Sequence, residues 1–214
     1  MLTSSSSLHS RGVSQQCKFT GYYRKSLSDL ADPFDSVYIS FYKGLGSISG
    51  AMLMVGSNDF CEEARVWLRR FGGNLYTLLP YAVPCWAGYR RHALGHGSAL
   101  TFAEKFSKLK RVTERIEAET AFSTIAAFDP PIAETNMIHV YLKVPLDSCE
   151  SVRDDVVQNC GVKVFGRARQ IPPSDPAAAA GYKTKFEWTM GEANGSIDDD
   201  LYVLAWKHFA SRLE

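Results

Sequence analysis

The sequence predicts an α/β protein in two parts, a strand-turn-strand region with helices followed by a small α/β unit. Three observations carry this. Asp35 to Phe41 (DSVYISF) and Ala51 to Val55 (AMLMV) are short β-branched, aromatic or apolar runs on either side of a Gly-rich stretch. Phe102, Phe106, Leu109, Val112 and Ile116 recur at spacings of three or four, the mark of one helical stripe. Beyond Asp129-Pro130-Pro131 the signals alternate as β-α-β-β-α, which reads as one helical layer on a sheet.

The elements follow in order. Residues 1–20 are polar, Ser-rich and without periodicity, and read as a disordered tail. Residues 26–31 make a short helix that stops before Pro33. Residues 35–41 form a strand, residues 43–50 a turn, and AMLMV a second strand buried on both faces. Ser57 or Asn58 caps a helix that runs to Arg69 or Arg70 and is stopped by Gly72-Gly73. Residues 78–92 form another helix, kinked or delayed by Pro84. Residues 99–122 are a long helix, and the domain boundary falls at Asp129-Pro130-Pro131, dividing 21–130 from 131–214.

In the second part, residues 137–144 are a strand. A helix follows over 148–159 with Ser148 as N-cap and Cys160-Gly161 at its end. Residues 162–165 are a short strand, 167–181 a Pro/Ala-rich loop, and 183–190 a strand. A last helix over 197–213 has Asp198, Asp199 and Asp200 at its positive end.

Bulk numbers exclude some functions. The 214 residues are 45% hydrophobic and 22% charged, ordinary for a globular chain. A net charge of +1 offers no bulk field for nucleic acid or an anionic membrane. No apolar run approaches the roughly 20 residues that span a bilayer. Five cysteines, an odd number without a CxxC pair, read as free thiols in a reducing compartment, so a cytoplasmic location is expected. Met1 to Ser28 lacks acidic residues and carries Arg11, Lys18, Arg24 and Lys25, a composition that also resembles an organellar transit segment. His92 and His96 stand four apart, but Gly95 and Gly97 bracket His96, so a solvated loop is expected and no metal site.

The sharpest chemical feature is Ser40-Phe41-Tyr42-Lys43-Gly44-Leu45-Gly46. A lysine buried at a strand end loses the hydration of its cation, which favours the neutral amine. That amine is a nucleophile and condenses with carbonyls. The glycines let a bulky group approach, and residues 44–50 could offer backbone N–H groups to a phosphate. Taken without its context, the same lysine reads first as a surface residue in a tight turn. The turn lacks the GxxxxGK[ST] pattern of a P-loop.

SFYKGLGSISGAMLMVGS resembles the lysine segment of the threonine aldolase/β-eliminating lyase family, fold-type I enzymes that use pyridoxal 5′-phosphate (PLP). In that family a strand ends in Ser-or-Cys-x-x-Lys-Gly-Leu-Gly, and a short antiparallel strand follows. Ser40, Lys43, Gly44, Leu45, Gly46, Gly50 and Gly56 fit. The likeness continues through Ser57, Phe60, Ala64-Arg65, Trp67, Arg69-Arg70 and Gly72-Gly73. It is specific over residues 35–90 and extends in architecture over 22–210. The resemblance implies a PLP-transferase-like large domain, present in part, with a small α/β C-terminal domain. It implies PLP as cofactor, Lys43 as its Schiff-base lysine, and Ser40, Gly44 and Gly46 beside it. It also implies an amino-acid substrate and a homo-oligomer, dimer or tetramer.

The sequence also departs from the family. The ring-stacking histidine, the aspartate for the pyridine nitrogen and much of the phosphate cup, which precede the lysine in such enzymes, have no counterpart in the short stretch before Lys43. Tyr76 and Thr77 stand where a basic residue usually follows the double glycine. The late small-domain strand that usually carries a substrate-binding arginine reads Lys185-Phe186-Glu187-Trp188-Thr189-Met190. Lys185, Arg167 and Arg169 are the candidates for the substrate carboxylate. Two functions are therefore expected: a lyase that cleaves a β-hydroxy amino acid to glycine and an aldehyde, or a truncated, silent relative that serves as a fold or partner-binding subunit.

Overall fold

The computed structural model describes residues 27–93 and 100–213. The expected N-terminal tail, the transit-like segment and the His96 loop lie outside the described residues. Contacts divide the chain after residue 102 into two units.

The first unit begins with helix α1 (Leu27–Ala31), then strands β1 (Ser36–Ser40) and β2 (Ala51–Val55). These pair antiparallel in a two-stranded ribbon, Ser36 opposite Val55 and Ser40 opposite Ala51. Helix α2 (Asn58–Arg70) starts where expected: the Ser57 hydroxyl accepts from the Phe60 N–H at 3.4 Å. Asp59 lies in its positive first turn, Arg69 and Arg70 in its negative last turn. Gly72, at φ 73°, supplies the left-handed residue that closes it. Helix α3 (Leu79–Gly88) takes Pro80 in its first turn and holds Pro84 inside, then widens into a π-helical segment, Tyr89–Ala93.

Among the described residues of this unit only Leu45 and Ser47 are buried. The expectation that AMLMV is buried on both faces is therefore corrected: Met52, Leu53 and Met54 are 42%, 47% and 36% exposed. Helices α2 and α3 bury no residue. Among the described residues, all of the large exposed hydrophobic side chains except Ile132, Met137 and Leu204 lie in this unit. An apolar run specifies a strand; whether it is covered depends on what packs against it.

The second unit contains helices α4 (Phe102–Glu119, from residue 103 on) and α5 (Phe122–Ile125), strands β3 (Ala126–Asp129) and β4 (Met137–Leu142), and helix α6 (Leu146–Cys160). Strand β5 (Ala168–Gln170), helix α7 (Pro176–Ala179), strand β6 (Thr184–Thr189), helix α8 (Glu192–Gly195) and helix α9 (Asp199–Ser211) complete it. The sheet order is β3-β4-β6-β5, antiparallel throughout. One face carries Ala126, Phe128, Ile138, Val140, Leu142, Phe186 and Trp188 into the core. Cys149 and Val156 of α6, and Tyr202, Trp206 and Phe209 of α9, cover that face.

The helical stripe is real, since Leu109, Val112 and Ile116 are fully buried. They belong to the C-terminal core, so the contact boundary falls at 102 rather than at the prolines. The long helix stops at Glu119, and β3 was not expected. Helix α6 begins at Pro145/Leu146, not at Ser148, because Pro145 at φ −59° is already shaped to start it. Residues 162–165 are not a strand. Val162, Val164 and Phe165 are buried without ladder pairing, and Phe165 stacks on Phe186 at 4.5 Å. One of the two edge strands is β5, within the segment expected to be loop.

Candidate active site

Lys43 sits in the turn between β1 and β2, and the backbone there is closed by three hydrogen bonds. The Phe41 N–H donates to the Gly50 carbonyl (2.9 Å), the Ser47 N–H to the Phe41 carbonyl (2.9 Å), and the Gly46 N–H to the Lys43 carbonyl (3.1 Å). Gly46 at φ 65° and Gly50 at φ 103° take left-handed conformations that other residues rarely adopt. Leu45 and Ser47 turn inward, both 7% exposed, while Lys43, Gly44 and Gly46 face out. Ser40, the last residue of β1, is half-buried.

The buried lysine of the sequence reading is thus exposed in this chain. Its Nζ lies 5.4 Å from the centre of the Tyr42 ring. Among the described residues no carboxylate pairs with it. The turn rests on α3: Cys85 Sγ donates to the Ser49 carbonyl at 3.2 Å and lies 3.2 Å from Ser47 Oγ. Sequence reasoning missed these supports. The one signal was Gly88, a glycine within a helical pattern.

The three carboxylate-binding candidates lie in the second unit. Arg167 and Arg169 are exposed; the charge of Arg169 acts on the Asp175 carboxyl, and among the described residues neither arginine makes a close ion pair. Arg169 faces Lys185 across the β5–β6 ladder. Lys185 is already engaged: its Nζ donates to Asp175 Oδ2 at 2.5 Å and lies 5.8 Å from the Tyr141 ring centre. This hydrogen bond, with the Ala177 backbone N–H, holds the Asp175 carboxyl below the usual carboxylate range. A substrate carboxylate would have to displace Asp175 from Lys185.

A cavity of about 530 Å³ in the second unit is lined by Pro145, Asp147, Gln170, Ile171, Tyr182 and Lys183, among others, and by none of these three candidates. Burial pushes the Cys149 thiol up to about 11, so it is held as a thiol within the core. Among the described residues no cluster of His, Cys, Asp or Glu could hold a metal, and no helix is long and apolar enough to cross a membrane.

A strand running into a Gly-framed lysine turn, followed by a small antiparallel α/β unit, is the architecture of PLP-transferase-like enzymes, present here in part. Solved structures agree. A Listeria monocytogenes protein assigned as an L-allo-threonine aldolase superposes with a TM-score of 0.74 at 29% identity, over 92% of this chain and 49% of its own. An Exiguobacterium protein assigned as an aromatic amino acid β-eliminating lyase/threonine aldolase gives 0.73 at 27%, over 91% and 49%. Sphingomonas wittichii serine palmitoyltransferase gives 0.59 at 15%, over 92% and 45%, a likeness of fold alone. The chain therefore spans about half the length of these structures. No family model and no curated protein matches it. Its structural neighbours are threonine aldolase/β-eliminating lyase proteins and serine palmitoyltransferase, fold-type I PLP enzymes, as the Lys43 segment led one to expect.

Proposed function

We propose that this chain carries the lysine-bearing part of a PLP-dependent lyase. The reaction would cleave the Cα–Cβ bond of a β-hydroxy amino acid to glycine and an aldehyde. One observation carries the reading. The Lys43 amine stands exposed on a backbone-locked, glycine-framed turn, in a fold shared at 27–29% identity with proteins assigned as threonine aldolases.

The turn fits attachment of an aldehyde cofactor at one point. Lys43 Nζ is accessible and held by no carboxylate among the described residues, and exposed Gly44 and Gly46 leave room beside it. PLP bound there would supply an electron sink for the bond being broken. Lys43 would hold the cofactor and, once displaced by substrate, carry protons at its Nζ. Ser40, at the end of β1, would stand beside the attachment point. Arg167 or Arg169 would bind the substrate carboxylate, because a guanidinium offers the two parallel donors that a carboxylate accepts. Lys185 ranks behind them, since Asp175 already takes its charge.

The test is chemical. The chain is mixed with PLP, reduced with borohydride and mapped by peptide mass. A pyridoxyl group on Lys43 that disappears in Lys43→Ala is the expected result. Labelling spread over exposed lysines, with Lys43 no richer than the rest, would overturn the reading. Glycine release from L-threonine or L-allo-threonine then tests the reaction itself.

A second reading is a silent relative that serves as a fold or partner-binding subunit. The observation favouring it is the exposure of Trp67, Leu68, Leu79 and Trp86 on helices α2 and α3. Labelled Lys43 without glycine release would select it.

A further inference from the structure

Helix α3 meets the back of the lysine turn at several points. A Cβ on Gly88 would lie 2.1 Å from the carbonyl oxygen of Leu45, so the helix backbone is packed directly against the turn. That oxygen belongs to the peptide between Leu45 and Gly46, inside the turn that Lys43 opens. Three residues earlier on α3, Cys85 Sγ donates to the Ser49 carbonyl, and Ser47 Oγ donates to the same oxygen at 3.0 Å. A Cβ on Gly50 would come within 3.0 Å of that sulfur. One turn beyond Gly88, His92 Nε2 lies 3.5 Å from where a Cβ on Gly46 would stand.

Leu45 and Ser47, the buried ones among the described residues of this unit, are the ones that face these contacts. The turn is therefore fixed from behind while Lys43 projects from its open side. An alanine at 88 would suit a helix better than glycine does. The close approach to Leu45 is what requires glycine there.

We propose that α3, acting through Gly88 and Cys85, is the positioning element for Lys43: it fixes the lysine backbone so that the amine meets its cofactor in one geometry. This rests on the reading of Lys43 as the attachment point. Gly88 and Cys85 act through the turn and are positioning residues, not catalytic ones.

Gly88→Ala, Cys85→Ala and Cys85→Ser, made in the full chain, test it with two readouts. Hydrogen exchange of the amides in residues 41–50 reports how firmly the turn is seated. Pyridoxyl labelling of Lys43 against pH, with exposed Lys207 as internal reference, reports the amine. In Gly88→Ala, exchange at 41–50 should rise about tenfold or more. Lys43 labelling should fall toward that of Lys207, with exchange over 103–213 unchanged. Cys85→Ala should show the same pattern more weakly, and Cys85→Ser should recover most of it. Unchanged exchange at 41–50 in both Gly88→Ala and Cys85→Ala would overturn the proposal. So would faster exchange with undiminished Lys43 labelling. A wild-type chain with protected 41–50 amides and no selective label on Lys43 would instead refute the cofactor reading, leaving exchange alone to decide the seating.

Discussion

Trp206 offers the sharpest test of how the second unit holds the strand that bears Lys185. Its side chain is fully buried. It stacks on Phe186 at 6.2 Å, meets Phe122 and Phe209 edge-on at 5.3 and 5.4 Å, and tilts against Trp188 at 5.6 Å. Phe186 and Trp188 are inward residues of β6, so the indole packs under the strand on which Lys185 and Glu187 point the other way. Among the described residues the indole N–H has no hydrogen-bond partner. Two substitutions separate size from polarity. Trp206→Ala leaves a large cavity and should cost about 3–5 kcal/mol. The lost aromatic pairs, each worth about 0.5–1.5 kcal/mol, place it at the upper end. Domain stabilities run at about 5–15 kcal/mol, so this removes a third or more. Trp206→Phe loses only the second ring, about 1–2 kcal/mol of apolar burial. It also removes a buried donor whose desolvation costs about 1–3 kcal/mol. The two nearly cancel, and Trp206→Phe should lie within about 1 kcal/mol of wild type on that balance. Urea unfolding followed by circular dichroism measures both. If Trp206→Phe costs as much as Trp206→Ala, the indole nitrogen is bonded after all and the packing argument fails.

Lys43→Gln should change unfolding free energy by less than about 1 kcal/mol, because the residue is exposed and an exposed cation-π contact is worth about 0.5–1. A loss above about 2 kcal/mol in the same urea experiment would mark Lys43 as structural instead. The Asp175 carboxyl is held low chiefly by Lys185, so its stabilising effect is present above the ordinary aspartate range, about 3.9, and is lost as pH falls through the lower folded value. Asp175→Asn should therefore flatten the acid limb of a urea-midpoint-against-pH curve, and an unchanged limb would refute the pair. The uncovered Met52, Leu53, Trp67 and Trp86 should make the isolated chain associate as its concentration rises. Leu53→Lys with Trp67→Glu should shift it toward monomer in sedimentation experiments. A monodisperse wild-type monomer at high concentration would contradict this expectation.

What could be read from the sequence was local. Ser57 before α2, Gly72 after it and Gly161 at φ 68° after α6 each act through their own backbone neighbours and stand where expected, whereas Asp198, expected inside the last helix, caps α9 from outside it. The stripe of Leu109, Val112 and Ile116 showed a helix face but not which core it enters. Residues 162–165 were apolar enough to be buried, and burial was mistaken for strand pairing, which needs a partner ladder. The two lysines show the same limit at the site. The glycines after Lys43 mark it as a turn lysine and Lys185 stands within a strand, but neither flank shows which amine is paired. Lys185 lies across from a loop that returns Asp175 to it from ten positions earlier, so its donors are committed to an ion pair. Lys43 leads a turn whose own carbonyls and amides satisfy one another, and among the described residues no carboxylate reaches its amine. An amine bound to a carboxylate must break that pair before it can attack anything. One left facing outward on a fixed backbone has no such pair to break. On the proposed reading the chemistry falls to Lys43, the lysine whose turn a helix closes from behind.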